Sequence, residues 1–418
     1  MGEGSSPEQI ENLHTLLEVS RQLGASTELV PLLKAIEQAA LRVLDCERAT
    51  VFLYDQQAGV LYSKVATGVR EIRFPATVGI AGETVRTRAV VNVPDAYADP
   101  RFNPEVDRQT GFRTRSLLSF CLTGYDGSVV GVLQALNKRG APFGPADRSL
   151  AQILSSLAGV AIQRQMLLDE YAEKQRIQRD LAVARSIQQS LLPEAAPVVP
   201  GYDIAGWNEP ADETGGDCYD FVELADGRLG LMLADATGHG IGPALMVSEC
   251  RALLRAAIAT GDDLAAGMSR ANALLAADVP VGRFVTTFFG VLDSRLHEIR
   301  YISAGQGPVL HFAAATAAAT ELPASTLPMG ISGNLDATVP APIRLDRGDV
   351  LLLVTDGFFE WINPQAEQFG TERIFDLVRA RPRASAQELI AGLHSAVVAF
   401  GKGTPQADDL TAVVVRRL

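Results

Sequence analysis

Cysteine is sparse in this 418-residue chain. Cys46, Cys121, Cys218 and Cys250 are too few and too scattered for a disulfide framework or a thiolate metal site. They suit a reducing cytoplasm. Histidine is as scarce, with none between His14 and His239, so that stretch holds no imidazole ligand for a haem. No run approaches the ~18 consecutive apolar residues of a membrane span. No basic segment leading into an apolar one opens the chain, so no export signal is expected. Basic residues are outnumbered, 37 Lys and Arg against 49 Asp and Glu, for a net charge of −12. That balance argues against nucleic acid or an anionic membrane as the main partner.

Apolar residues are ample. At 47% hydrophobic and 21% charged, a chain of this length suits two domains with ordinary cores. Residues 1–9 read as a flexible tail. From Ile10 a helix carries Leu13, Leu16, Leu17, Val19 and Leu23, and Leu29–Leu44 repeats the pattern with Leu32, Leu33, Ile36, Ala40 and Val43. The period then changes to that of strands at Ala49–Tyr54, Val60–Val65, Ala89–Val93, Ser116–Leu122 and Val129–Leu136. Asp147–Leu168 closes the region as an amphipathic helix.

This order of elements resembles a GAF domain over residues 10–168. Local strings carry the likeness: Val78-Gly79-Ile80-Ala81-Gly82, Val91-Asn92-Val93-Pro94-Asp95-Ala96, and Gly131–Lys138. Asn137, Lys138, Phe143 and Asp147 match a pattern of cyclic-nucleotide-binding members, with Arg148 where a Glu would stand. The resemblance implies an antiparallel sheet with flanking helices. It implies either a small-molecule ligand or a dimerising scaffold with a vestigial pocket.

Asp169–Leu192 contains neither Gly nor Pro, and Ile177, Leu181, Ala184, Ile187 and Leu191 fall on one helical stripe. The helix should stop before Pro193, giving a linker over 169–200. The stripe favours a parallel homodimer, the linker serving as a lever or as a passive stalk.

From residue 201 to 418, strand signals alternate with helical blocks at Ile241–Ala259, Asp263–Ala277, Gly370–Ala380 and Ser385–Phe400, which suggests an α+β layered fold. On Ile241–Ala259, Leu245, Cys250, Leu253, Leu254 and Ala257 form the expected buried face. The Ala-rich Ala313–Thr320 reads as a hairpin tip. Four places set an Asp at a strand boundary: Gly215-Gly216-Asp217, Ala234-Asp235-Ala236-Thr237-Gly238-His239-Gly240, Thr355-Asp356-Gly357 and Asp408-Asp409-Leu410-Thr411. Each alone is the composition of a turn. Together they form a carboxylate set, and converging carboxylates are tolerable with cations between them. Hard divalent ions take such oxygen ligands.

With Ile187-Gln188-Gln189-Ser190-Leu191-Leu192-Pro193, Phe284-Val285-Thr286, Ala304-Gly305 and Gly348-Asp349, these motifs resemble the metal-dependent Ser/Thr phosphatase (PPM, type 2C) superfamily in its bacterial SpoIIE/RsbU branch. The resemblance implies a C-terminal α-β-β-α sandwich and two Mn²⁺ or Mg²⁺ ions. It assigns the ions to Asp217, Asp235, the Ala236 carbonyl, Asp356 and one of Asp408 and Asp409, the wider superfamily pattern favouring Asp408. Asp217, Asp235 and Asp356 would carry the catalysis, by in-line attack of a metal-bridged hydroxide on phosphoserine or phosphothreonine. The implied substrate is a phosphorylated signalling protein such as a STAS-type anti-sigma-factor antagonist. Gln306 stands where a His is usual, and no arginine is an obvious phosphate clamp. His239 is either a proton donor or a turn residue, Cys218 a packing residue, and Asp220 either a water-mediated neighbour of the metals or a turn residue. Two other readings compete. Gly-Gly-Asp also opens a diguanylate cyclase signature, but Cys218-Tyr219 replaces the expected Glu-Phe. A non-catalytic binding platform is the third.

Overall fold

A computed structural model describes residues 7–64, 72–259 and 263–418, in two compact units, Met1–Arg176 and Ile177–Leu418.

The N-terminal unit comprises α1 (Pro7–Ala25), α2 (Leu29–Val43), β1 (Cys46–Asp55), β2 (Val60–Ser63), β3 (Ile72–Pro75), α3 (Gly79–Thr87), β4 (Val91–Val93), α4 (Glu105–Thr110), β5 (Leu117–Thr123), β6 (Val129–Lys138) and the start of α5 (Pro145–Leu191). The strands form one antiparallel sheet in the order β3-β2-β1-β6-β5-β4. Val19 and Leu23 of α1, Leu32, Leu33 and Ile36 of α2, and Leu154 and Ile162 of α5 bury one face against Leu118, Phe120 and Leu133. Ile80 and Ala81 of α3 pack on the other face. β5 is therefore apolar throughout, because both faces are covered.

Several expectations shift here. α1 starts at Pro7, so the expected tail is helical at its end, and residues 1–6 lie outside the described residues, as does Val65 of the second expected strand. Leu17 is exposed. The helices expected at Asp147–Leu168 and Asp169–Leu192 are one continuous helix, α5. α3 escapes periodicity because it is short and holds Gly79 and Gly82. Gly82 is there for space, since a Cβ would sit 2.8 Å from the Ala76 carbonyl oxygen. The Asn137-Lys138 pair is spent on the fold. Asn137 Oδ1 accepts from the Arg115 amide at 2.6 Å, and Lys138 Nζ pairs with Asp147 at 2.8 Å.

The C-terminal unit continues with β7 (Tyr202–Glu209), β8 (Asp217–Glu223), β9 (Leu229–Ala236), α6 (Ile241–Ala259), α7 (Leu264–Asp278), β10 (Val285–Asp293), β11 (Glu298–Ala304), β12 (Val309–Ala313), β13 (Ala318–Leu322), β14 (Ile343–Arg344), β15 (Val350–Val354), α8 (Asp356–Phe359), α9 (Thr371–Ala380), α10 (Ala386–Gly401) and β16 (Leu410–Arg417). Two antiparallel sheets, β14-β11-β10-β9-β8 and β13-β12-β15-β16-β7, face each other. Phe221, Leu231, Phe288 and Tyr301 of the first interleave with Leu351, Leu353, Val413 and Val415 of the second. α6 and α7 cover the outer face of the first sheet through Val247, Cys250, Leu254 and Leu275. α9 and α10 cover the second through Ile374, Phe375, Leu389 and Leu393. The α-β-β-α sandwich is as expected. Leu245, expected on the buried face of α6, is exposed, and the buried stripe runs through Val247, Cys250, Leu254 and Ile258 instead. The Ala-rich hairpin tip narrows to residues 314–317, because Ala318–Thr320 pairs with β12.

Candidate active site

Strand register assembles the acids. β8 and β9 pair with Asp217 directly opposite Asp235, and β10 sets Thr286 opposite Asp235 on its other side. The second sheet contributes Thr355 and Asp356 just past β15, and Asp408 and Asp409 just ahead of β16. Those two segments are locked together where the Thr355 amide donates to the Thr411 carbonyl at 3.0 Å.

Hydrogen bonds then join the sheets. Asp217 Oδ2 accepts from Thr355 Oγ1 at 2.7 Å and Thr411 Oγ1 at 2.6 Å. Asp409 returns the link, its Oδ2 accepting the Asp217 amide at 3.2 Å and its Oδ1 the Ala211 amide at 2.7 Å. Asp409 is thus buried and engaged with backbone donors, whereas Asp408 is exposed. The loops fit because of their glycines. A Cβ on Gly216 would meet the Ala236 carbonyl oxygen at 2.7 Å, one on Gly215 would meet Asp409 Oδ2 at 2.5 Å, and Gly238 has φ +90°.

These carboxylates disturb one another. Burial and the neighbouring charges of Asp235 and Asp409 push Asp217 well above the usual carboxylate range. Burial, with Asp356 and Asp408 beside it, raises Asp235 to about 7. Burial and Asp408 raise Asp356 to about 6. Asp409 is also raised, by burial, against its backbone donors, which lower it. So Asp217, Asp235, Asp356, Asp408 and Asp409 occupy one electrostatic neighbourhood. Among the described residues, no three His, Cys, Asp or Glu side chains form a ready coordination shell. The donors are all hard oxygen, which suits Mg²⁺ or Mn²⁺.

Family models match both units: the Stage II sporulation protein E (SpoIIE) model over residues 225–418 and the GAF domain model over residues 28–162. Phosphoserine phosphatase RsbU of Bacillus subtilis (strain 168) is 27% identical over 246 residues, covering 58% of this chain and 72% of RsbU. The chain is a GAF-containing phosphatase of the SpoIIE/RsbU type. The SiaA-PP2C domain of Pseudomonas aeruginosa shares the fold at a TM-score of 0.50 and 23% identity, covering 59% of this chain and 98% of that domain. The activity that follows is that of a protein Ser/Thr phosphatase. No helix among the described residues is long and apolar enough to cross a membrane.

Residues around the phosphatase centre sort into clearer roles. Asp220 points away from the acid cluster. Its carboxylate is buried against Arg255 at 2.6 Å and Arg251 at 3.1 Å, tying α6 to the strand that carries Asp217. Gln306 bridges strands of both sheets, accepting from Thr286 Oγ1 at 2.9 Å and donating to the Val354 carbonyl at 3.1 Å. It therefore does structural work beside the acids of both sheets. His239 is exposed, its Nδ1 2.7 Å from Asp212. Cys218 is packed under α6, its thiol pushed well up by burial.

Sequence reasoning assigned no role to three residues that the phosphatase geometry singles out. Thr355 and Thr411 hold Asp217, and both lie within the quoted motifs. Gln188, in the last turn of α5, pairs with both backbone groups of Gly215: Nε2 donates to the carbonyl at 2.6 Å and Oε1 accepts the amide at 3.1 Å.

Proposed function

We propose that this phosphatase hydrolyses phosphoserine or phosphothreonine in a signalling protein, using two Mn²⁺ or Mg²⁺ ions. Asp217, Asp235, Asp356 and Asp408, with the Ala236 carbonyl, are the proposed ligands. Asp409 becomes a positioning residue, because its oxygens are engaged by backbone amides. The observation that carries the proposal is the meeting of acids from both sheets, each raising a neighbour's proton affinity. Such groups favour a cation over their own ionisation against one another. Bound there, divalent ions supply a water of lowered pKa and an electrophilic clamp for phosphoryl oxygens.

The chain's own residues supply the positioning. Thr355 and Thr411 hold one Asp217 oxygen, which fixes the orientation of the carboxylate. Thr286 Oγ1 reaches the Asp235 carbonyl at 3.4 Å and steadies the end of β9.

The relative is named a phosphoserine phosphatase, which supports a phosphoprotein substrate. A STAS-type anti-sigma-factor antagonist is the class we propose, in the cytoplasm. The GAF unit would receive a small ligand or partner. Exposed Ile177, Val183 and Ile187 on α5 support a homodimer through this helix. The Gln188–Gly215 pairing supports regulation through α5, since a shift of its last turn pulls on the backbone two residues ahead of Asp217.

The test is p-nitrophenyl phosphate hydrolysis with and without Mn²⁺, comparing wild type, Asp356→Asn and residues 177–418. Mn²⁺-dependent turnover lost in Asp356→Asn is the expected result. Mn²⁺ bound with no turnover in any of the three, even with a phosphoserine peptide, would leave a binding platform.

A further inference from the structure

One arginine at the turn that follows Asp235 has no acid for a partner among the described residues. Arg283 lies between α7 and β10, two residues ahead of Val285, which pairs with Ala236. Its Nη1 donates to the Thr237 carbonyl at 2.6 Å. Two more bonds hold the same segments together: the Thr237 amide donates to the Phe284 carbonyl at 3.0 Å, and Thr237 Oγ1 accepts the Phe284 amide at 3.2 Å. The guanidinium is thereby fixed against the turn that follows Asp235 and Ala236. Gly238 is what lets it lie there, because a Cβ at that position would collide with Arg283.

The rest of the guanidinium is open. It carries five N–H donors, and among the described residues the Thr237 carbonyl is its one hydrogen-bond acceptor. Arg228, Arg295 and Arg379 show the usual alternative, each pairing with a nearby aspartate. Arg283 is anchored by a carbonyl instead, which fixes its position without neutralising its charge.

The charge at the centre calls for such a group. Two divalent ions balance four of the five clustered carboxylates and leave the fifth uncompensated. A phosphomonoester arriving as a dianion then meets a centre with no surplus positive charge. A planar guanidinium held at the rim matches phosphoryl oxygens in charge and geometry.

We propose that Arg283 is a substrate contact, donating to the phosphoryl oxygens of the incoming phosphoserine or phosphothreonine. The proposal rests on the phosphatase reading above and adds the residue that recognises the phosphoryl group. Once phosphate leaves, the same contact holds the product, so substrate and inorganic phosphate share it.

The experiment uses the full chain with Mn²⁺ and compares wild type with Arg283→Ala and Arg283→Lys. Phosphate affinity is measured by calorimetry, and KM and kcat with a phosphoserine peptide. For Arg283→Ala, phosphate binding weakens and KM rises by roughly 10- to 100-fold, the range of a charged hydrogen bond. The change in kcat stays below about 3-fold, because the contact is the same in ground and transition states. Arg283→Lys recovers part of the phosphate affinity. Unchanged phosphate affinity and KM, whether or not kcat or melting temperature falls, would make Arg283 a staple for the turn and overturn the proposal. So would a loss of Mn²⁺ affinity matching the loss of phosphate. If wild type binds phosphate but turns nothing over, the phosphatase mechanism fails while the Arg283 comparison still reads out by calorimetry. If Mn²⁺-loaded wild type binds no phosphate, the Arg283 contact fails with it.

Discussion

Asp235→Asn should make the metal-free protein more stable while abolishing its turnover. Asp235 is raised from 3.8 to about 7 by burial and by Asp356 and Asp408 beside it. A folded-state value above the unfolded one means the folded protein holds a proton that the unfolded chain releases. The stabilisation is full below pH 3.8 and is lost as pH rises through 7. A rise of about three units corresponds to roughly 4 kcal/mol. At roughly 2–4 °C per kcal/mol for a domain of this size, that is on the order of 10 °C in Tm. Asparagine keeps the shape of the side chain and carries no charge at any pH. The assay is thermal unfolding of both proteins in chelator between pH 5 and 8. At pH 5 the wild type should already melt a few degrees below the variant, and the gap should widen up to about pH 7 and then level off toward pH 8. If Asp235 is a metal ligand as proposed, added Mn²⁺ should then reverse the order, because the variant lacks that carboxylate. A variant less stable than wild type at pH 8, or a difference independent of pH, would refute the account of these acids as mutually opposed.

Asp220→Ala leaves Arg251 and Arg255 without their buried partner and should cost about 3–5 kcal/mol in chemical denaturation; a loss under 1 kcal/mol would show that the pair is incidental. Thr411→Val removes a donor to Asp217 and should weaken Mn²⁺ binding measured by calorimetry, with a stability cost of about 1–3 kcal/mol. Gln188→Ala should leave the melting temperature within a few degrees yet change kcat with p-nitrophenyl phosphate several-fold, since it releases Gly215 near Asp217. An unchanged kcat would disconnect α5 from the centre.

Much of this architecture was legible in the residues. Apolar runs ending in Asp marked the strand ends at Asp235 and Asp356, because a buried strand with both faces covered must be continuously apolar. β7 and β8 were harder to see, since Asp217, Asp220 and Asn208 interrupt them with polar groups that the fold satisfies internally. Asp408 and Asp409 could not be told apart by spacing. Their difference lies in which amides point at which carboxylate, and those amides belong to Ala211 and Asp217, nearly 200 residues away in sequence. Asp220 was misleading for the same reason, its arginine partners being on a helix whose facing side no local pattern fixes. Leu245 failed because the buried stripe through Ala244, Val247, Cys250 and Leu254 lies on the other side of the helix from it, a rotation that the apolar residues on both sides of α6 left open.

The acids come from both sheets of the sandwich: Asp217 and Asp235 from one, Asp356 and Asp408 from the other. An ion held by this proposed set would measure the gap between two layers as a caliper does. Its affinity then depends on side chains that never approach it. Phe288 and Tyr301, stacked at 5.3 Å on the inner face of the first sheet, pack in the core between the two layers. Shaving either one should loosen metal binding from a distance, and metal should in turn resist the layers parting. The packing of the core and the chemistry at its edge are therefore set by one dimension.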